Sequence, residues 1–357
     1  MLLLTLLAFS AVLAQPYEAE TWSLFAAKWA VPFALFHLAG LVFSDGRSLQ
    51  RFETFAVLTL AYLSFTAIMF LIGANDLVFP RYILDESLGI HADRARGPFL
   101  QAVANGLTLN LLALIALNSF RRGRVRGALA ATFFVAVPIA LVATKTRAVW
   151  LSVAGSLVAV MLFGKSARLR RVCFTLCLLA GSLLLGVIAF SRTDGSLSDR
   201  LGDSSPLEYR MAVYEAGWQM CLEKPLLGWG PENVQSELWR RVTGFHVTDF
   251  YFHNTYLEVT AERGLLGLGL YVWLIIDLLR LGKKNSVIAY GDASFLDRQF
   301  RALWPIMLFV YFLNACFVGM NYQFVNGLLF TIAGMLAAQN RAAARASAPS
   351  ECHRQVL

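Results

Sequence analysis

The sequence predicts an all-α fold, a polytopic membrane bundle of about nine or ten spans, and three observations carry that prediction. Apolar residues arrive in blocks of about twenty, the length that carries a helix across a bilayer. The chain is 57% hydrophobic and only 15% charged, with a mean hydropathy of +0.58. Basic residues segregate as well: of 31 Lys and Arg, 18 fall in segments 44–51, 121–126, 165–171, 280–301 and 341–357, which alternate with the apolar runs. The positive-inside rule makes those segments cytoplasmic. The net charge of +8 is thereby assigned to topology, and no nucleic-acid partner is expected.

In chain order, Met1–Ala14 is apolar but lacks the basic start of a signal peptide, so it reads as a first or partial span. Runs 22–43 and 52–73 follow, joined by the basic turn Ser44–Arg51. Residues 74–98, with Arg81, Asp85, Glu86, His91, Arg94 and Arg96, read as a solvated exterior connector. Spans 99–120 and 127–143 flank the anchor Arg121-Arg122-Gly123-Arg124-Val125-Arg126, read as a topology signal. Span 148–164 leads to the cytoplasmic Lys165–Arg171 and then to span 172–190. The longest exterior segment, 191–262, contains apolar residues at 207, 211, 214, 218, 221 and 222. That helical period predicts an amphipathic helix lying on the membrane interface or over the bundle. Spans 265–279, 302–320 and 325–339 close the bundle, and the Ala/Ser-rich tail reads as disordered. The predicted organisation is therefore N-terminal transmembrane helices 1–190, a loop 191–262, C-terminal helices 263–340 and a cytoplasmic tail 341–357. Cys173, Cys177 and Cys316 lie in apolar runs, Cys352 in the tail and only Cys221 outside, so no disulfide framework is implied.

Titratable chemistry concentrates where 252–267 meets an apolar run. Thr255 and Glu258 form a T-x-x-E capping box that starts a helix and leaves His253 at its N-terminus. The helix dipole disfavours the imidazolium there, which suits a neutral base. Gly264 and Gly267 permit a break before the span. The alternative is a histidine that merely caps the helix. In Thr144-Lys145-Thr146-Arg147 two cations stand on the exterior face, against the topological bias, and Arg147 opens a helix. A bound anion would relieve that conflict; the alternative is an arginine snorkelling to headgroups. Arg210 lies at the edge of the amphipathic stripe, and Pro225–Gly230 turns the chain back toward His253. Arginines suit a phosphate or pyrophosphate, and a neutral histidine suits general-base work on a hydroxyl. D-x-D, H-E-x-x-H and C-x-x-C motifs and a Walker loop are missing, and the five histidines form no ligand set, so neither metal nor cofactor is expected.

These residues carry a resemblance. His253-Asn254, nine residues, then Gly264-Leu265-Leu266-Gly267 fits an H-[NSQ]-x9-G-x-x-[GTY] pattern; Arg147–Leu151 fits R-x3-L; and Arg210 precedes a Pro-Leu-x-Gly-x-Gly turn at Pro225–Gly230. In that order the chain resembles the O-antigen ligase and polymerase superfamily, best over 127–280 and nearer the ligases, although members commonly have more spans than are read here. The resemblance implies a bacterial inner-membrane glycosyltransferase whose periplasmic site moves a glycan from undecaprenyl pyrophosphate to an acceptor hydroxyl, with inversion and without metal. It implies His253 as base, Arg147 and Arg210 as catalytic and substrate-binding, and Lys145 and Asn254 as further binding residues. A ligase would use a lipid A core acceptor, a polymerase a glycan repeat, and an oligosaccharyltransferase a protein. A transporter of anionic solutes would instead need polar residues in discontinuous spans near mid-membrane. Runs 172–190 and 302–320 hold no charged residue.

Overall fold

In the computed structural model the described residues are 1–14, 16–194, 205–245, 250–283 and 295–347. Readings that fall on 195–204, 246–249, 284–294 and 348–357, including His246 and Cys352, lie outside them. The described residues form 12 helices. They are α1 (Leu2–Leu13), α2 (Ala19–Val42), α3 (Gly46–Leu71), α4 (Ala102–Arg121), α5 (Gly127–Ala143) and α6 (Arg147–Phe163). α7 (Ala167–Asp194), α8 (Ser205–Glu223), α9 (Pro231–Arg241), α10 (Thr255–Lys283), α11 (Arg298–Ala315) and α12 (Gln323–Ser347) complete the chain. Each apolar run read from the sequence overlaps one of these helices, although the run 302–320 outlasts its helix, which ends at Ala315, and the run 99–120 starts ahead of its helix at Ala102. By length and composition 4 of them, α2, α3, α4 and α10, can cross a membrane, and α1, α5 and α6 are shorter apolar helices. The protein is a multi-pass membrane protein.

α4 sits at the centre, buried along nearly all its length, because small and polar residues let its neighbours close in. A Cβ at Gly106 would meet Val149 of α6 at 2.6 Å, and Asn110 reaches Ser152 and Ser156 of the same helix at 3.4 and 3.3 Å. Such buried polar contacts across helices are the usual glue of a membrane bundle. α2 packs on α12, α3 on α5, and α11 on α4 and α6. Within α2, Ala26–Ala30 is a π turn that carries Lys28.

At one end of the bundle, where α3 and α11 begin and α4 ends, the basic segment does more than set topology. Buried Glu53 accepts from Ser119 at 2.6 Å and from Arg122 at 2.9 and 3.0 Å, and Arg124 stands 3.6 Å away. Arg121 pairs with Asp297, which also caps α11 through the Phe300 amide at 2.9 Å. α12 continues through Ser347, so the tail reading fails for 341–347; its Ala-rich composition favours helix.

The opposite end carries loop 72–101, which is folded rather than a solvated connector. Arg96 is 1% exposed, and its guanidinium donates to the carbonyls of Ile83, Leu88 and Asp85, tying the 3₁₀ turn Arg81–Leu84 to the one that follows Arg96 at Gly97–Phe99. α8, α9 and the start of α10 enclose a second small core of Val213, Met220, Val234, Leu238, Phe250 and Phe252. The apolar stripe of α8 divides: Val213, Ala216 and Met220 face that core, whereas Leu207, Met211, Trp218 and Leu222 stay exposed.

Candidate active site

The site is organised by the break in α10. Gly264 has φ 62 and ψ −165, the interruption its sequence position predicts. A helix broken there leaves amides and carbonyls without intrahelical partners, and the turn Pro225–Gly230 supplies them. Leu265 N donates to Pro225 O at 2.7 Å and Leu266 N to Leu226 O at 3.3 Å; in return Trp229 N and Gly230 N donate to Ala261 O and Glu262 O at 2.8 and 2.9 Å. The backbones lie so close that a Cβ on Gly228 would stand 2.5 Å from Glu262 C. Both glycines also hold positive φ, which excludes most other residues.

This joint fixes α8 against the start of α10. A Cβ on Gly217 would meet Phe252 at 2.5 Å and Leu257 at 3.0 Å, so a glycine there lets α8 press on the residue before His253. Gln235 of α9 holds the same stretch through both backbone groups of Phe250, at 2.8 and 3.1 Å. His253 itself is left-handed, with φ 49, a conformation that a non-glycine residue keeps only when its neighbours enforce it. Tyr214 of α8 donates its hydroxyl to His253 O at 3.2 Å.

The capping box does not form. Asn254 is the cap: its Oδ1 accepts from Tyr256 N at 3.0 Å and Leu257 N at 3.1 Å. Thr255 instead bridges to the turn between α11 and α12, donating to Val318 O at 2.8 Å and accepting from Met320 N at 3.0 Å. Glu258 pairs with Lys28 at 2.5 Å. Tertiary partners outcompeted the local motif for both side chains.

The imidazole of His253 is partly buried, beside Tyr209 and Tyr251 at ring distances of 6.2 and 6.4 Å. Its pKa lies below the ordinary histidine value, first through burial, then through the positive charge of Arg210, then through His91. The direction is the one the sequence suggests; the cause is desolvation and neighbouring charge rather than a helix dipole. Arg210 sits one turn before Tyr214 on α8, which is why it shares the face that meets His253.

Arg147 is the first residue of α6, and Thr146 ahead of it gives no side-chain cap. Lys145, with φ 48, donates to Asp93 O at 2.8 Å, and Ala95 N donates to Ala143 O at 3.0 Å. Loop 72–101 therefore clamps the Arg147 turn while His91, in the same loop, acts electrostatically on His253. Arg210, His253 and Asn254 come together directly; Lys145 and Arg147 join that end through the loop. Sequence reasoning missed Tyr214 and His91. The four-residue spacing from Arg210 pointed to Tyr214, but nothing local pointed to His91. Among the described residues no group of three or more His, Cys, Asp or Glu could hold a metal ion.

Residues 130–272 match the profile of the O-antigen ligase family. A protein of Rickettsia prowazekii (strain Madrid E) is 27% identical over 143 residues, covering 36% of this chain and 35% of that protein. A protein of Rickettsia typhi (strain ATCC VR-144 / Wilmington) is 26% identical over 129 residues, covering 34% and 32%. Both bear the name "Putative polysaccharide ligase". The alignments thus span about a third of each relative's length. The matched family segment runs from α5 into α10 and includes Lys145, Arg147, Arg210, His253, Asn254 and Gly264.

Proposed function

From a chain that carries an O-antigen ligase family domain across residues 130–272, we propose a membrane glycosyltransferase that moves a glycan from undecaprenyl pyrophosphate to an acceptor hydroxyl on the periplasmic side of a bacterial inner membrane. The observation that carries the reading is the pairing of a partly buried histidine, whose pKa burial lowers, with Arg210 beside it. A base and a fixed cation in one partly buried site are what glycosyl transfer from a pyrophosphate needs.

In this mechanism Arg147 and Arg210 grip the pyrophosphate oxygens through their planar forks, Lys145 adds positive charge, and Asn254 fixes the backbone that presents His253. The acceptor oxygen attacks the anomeric carbon as its proton passes to the His253 imidazole. The bond from carbon to the pyrophosphate oxygen breaks, its electron pair leaves with the pyrophosphate, and the two arginines stabilise the growing charge. Attack opposite the leaving group inverts the anomeric centre. A lipid-linked donor suits the exposed row Leu207, Met211, Trp218 and Leu222. That row runs on through exposed Leu226 and Leu227 to Leu265 and Leu266, and so meets the apolar flank of α10. An apolar row of this kind seats a helix in a lipid interface.

The purified protein given an undecaprenyl-pyrophosphate glycan and, separately, lipid A core, free glycan repeats and protein acceptors should transfer to lipid A core, in excess EDTA as well as without it. Transfer to none of them would overturn the reading, and transfer to repeats or protein would relocate it within the superfamily. For orientation, a cysteine placed at Gly244 should react with an impermeant thiol reagent from outside, and one at Gly123 should not. The reverse pattern would put the site on the wrong side.

A further inference from the structure

A second polar cluster lies behind the first turns of α10, and the transfer chemistry makes no use of it. Lys28, on the π turn of α2, holds Glu258 at 2.5 Å; Arg263 pairs with Glu262 and lies over the Trp29 ring at 5.4 Å. Room for Glu258 comes from Gly319, where a Cβ would stand 2.9 Å from its Oε2. The four side-chain charges cancel. Together with Thr255, Val259, Tyr271 and apolar neighbours they line a cavity of about 30 Å³.

Three lining side chains bring polar atoms without a hydrogen-bond partner among the described residues: Trp29 Nε1, Arg263 Nε and Tyr271 Oη. These residues are only 5%, 7% and 6% exposed. Buried donors are rarely left unmatched, because they lose their water without gaining a partner. All three can donate, so whatever satisfies them must accept. An anion would face two cations already matched by Glu258 and Glu262, at a desolvation cost the geometry does not repay. Water accepts and donates, and the cavity exceeds the roughly 10–15 Å³ needed to hold a molecule of it.

We propose that this cavity is a water-binding site: bound water accepts from Trp29 and Arg263, bridges to Tyr271, and completes an ion-pair cluster that locks the α10 segment ahead of Gly264. That segment needs holding from the side, since it is broken from the rest of α10 at Gly264. It begins two residues after His253, so the hydrated cluster sets where the imidazole stands. Tyr271 is then a positioning residue.

Tyr271→Phe removes one hydroxyl and little else. With water bound, the variant loses a bridge: its Tm should fall by about 2–5 °C, and kcat for transfer should drop while the donor KM stays unchanged. If the hydroxyl is a true orphan, deleting it leaves Tm the same or raises it, which overturns the site. A lowered Tm with unchanged kcat would overturn the positioning role. Exchanging chloride for gluconate should leave the wild-type Tm unmoved; a chloride-dependent Tm would make the occupant an anion and overturn the water assignment. The kcat comparison rests on the proposed transfer reaction, but the Tm comparisons do not. A wild type with no transfer activity would therefore sink that reaction and leave the cavity still decided by Tm.

Discussion

The two ends of the bundle treat their arginines in opposite ways. Where α4 ends, Arg121 and Arg122 meet Asp297 and buried Glu53, and Ser119 and Arg124 complete the set. Where α10 begins, Arg210 makes no ion pair among the described residues and faces a partly buried histidine instead. Arg241 shows that carboxylates are within reach of that region, since it pairs with Glu223 and Glu237. An arginine matched by protein carboxylates is a structural fastener, whereas one set beside a partly buried histidine with a lowered pKa keeps its field available for an anion. Charge count alone would have ranked the basic segment 121–126 as the stronger anion site.

The sharpest break of this comparison is His253→Ala. General-base catalysis is typically worth about 10²–10⁴-fold, so transfer should fall by that factor while donor binding, held by the arginines, persists. Folded His253→Ala protein that transfers at the wild-type rate would leave His253 as no more than a capping neighbour.

Glu53→Gln tests the other end. It leaves the Arg122 guanidinium buried without its carboxylate, which costs about 3–5 kcal/mol. Folded yield and Tm should collapse, whereas Arg210→Gln should keep both and lose transfer. Equal loss of Tm in the two variants would erase the distinction between fastener and site.

A smaller effect separates the charge of Arg210 from its shape. His253 acts as a base only when neutral, and its lowered pKa keeps it neutral further into acid. Wild-type activity should therefore fall with a midpoint below the ordinary histidine value. Arg210→Gln removes one cause of the lowering, so the acid limb of its residual activity should move up in pH; Arg210→Lys keeps the charge and should leave the limb in place. Lys nonetheless loses the fork that grips two oxygens, so its turnover should still be impaired. A limb that stays put in Arg210→Gln would remove Arg210 from the field at His253.

The sequence by itself determined the helical runs, since apolar length and basic punctuation are local, additive properties. It also determined the break at Gly264, because only glycine tolerates that backbone, and it brought out Arg147, Arg210 and His253 as candidates. Tertiary structure decided what those elements bind. Thr255 and Glu258 carry a capping signature, yet each finds a longer-range partner in Val318 and Lys28, and Asn254 takes the cap. Loop 72–101 carries charged residues throughout its length and reads as solvated chain, but buried Arg96 folds it, and its His91 reaches the field of His253. Pro225–Gly230 reads as a simple turn, and only the fold shows its amides and carbonyls completing a broken helix. For Thr255, Glu258, His91 and the Pro225–Gly230 turn the partner is far away in sequence, and a hydrogen-bonding or charged group takes the best available geometry rather than the nearest residue.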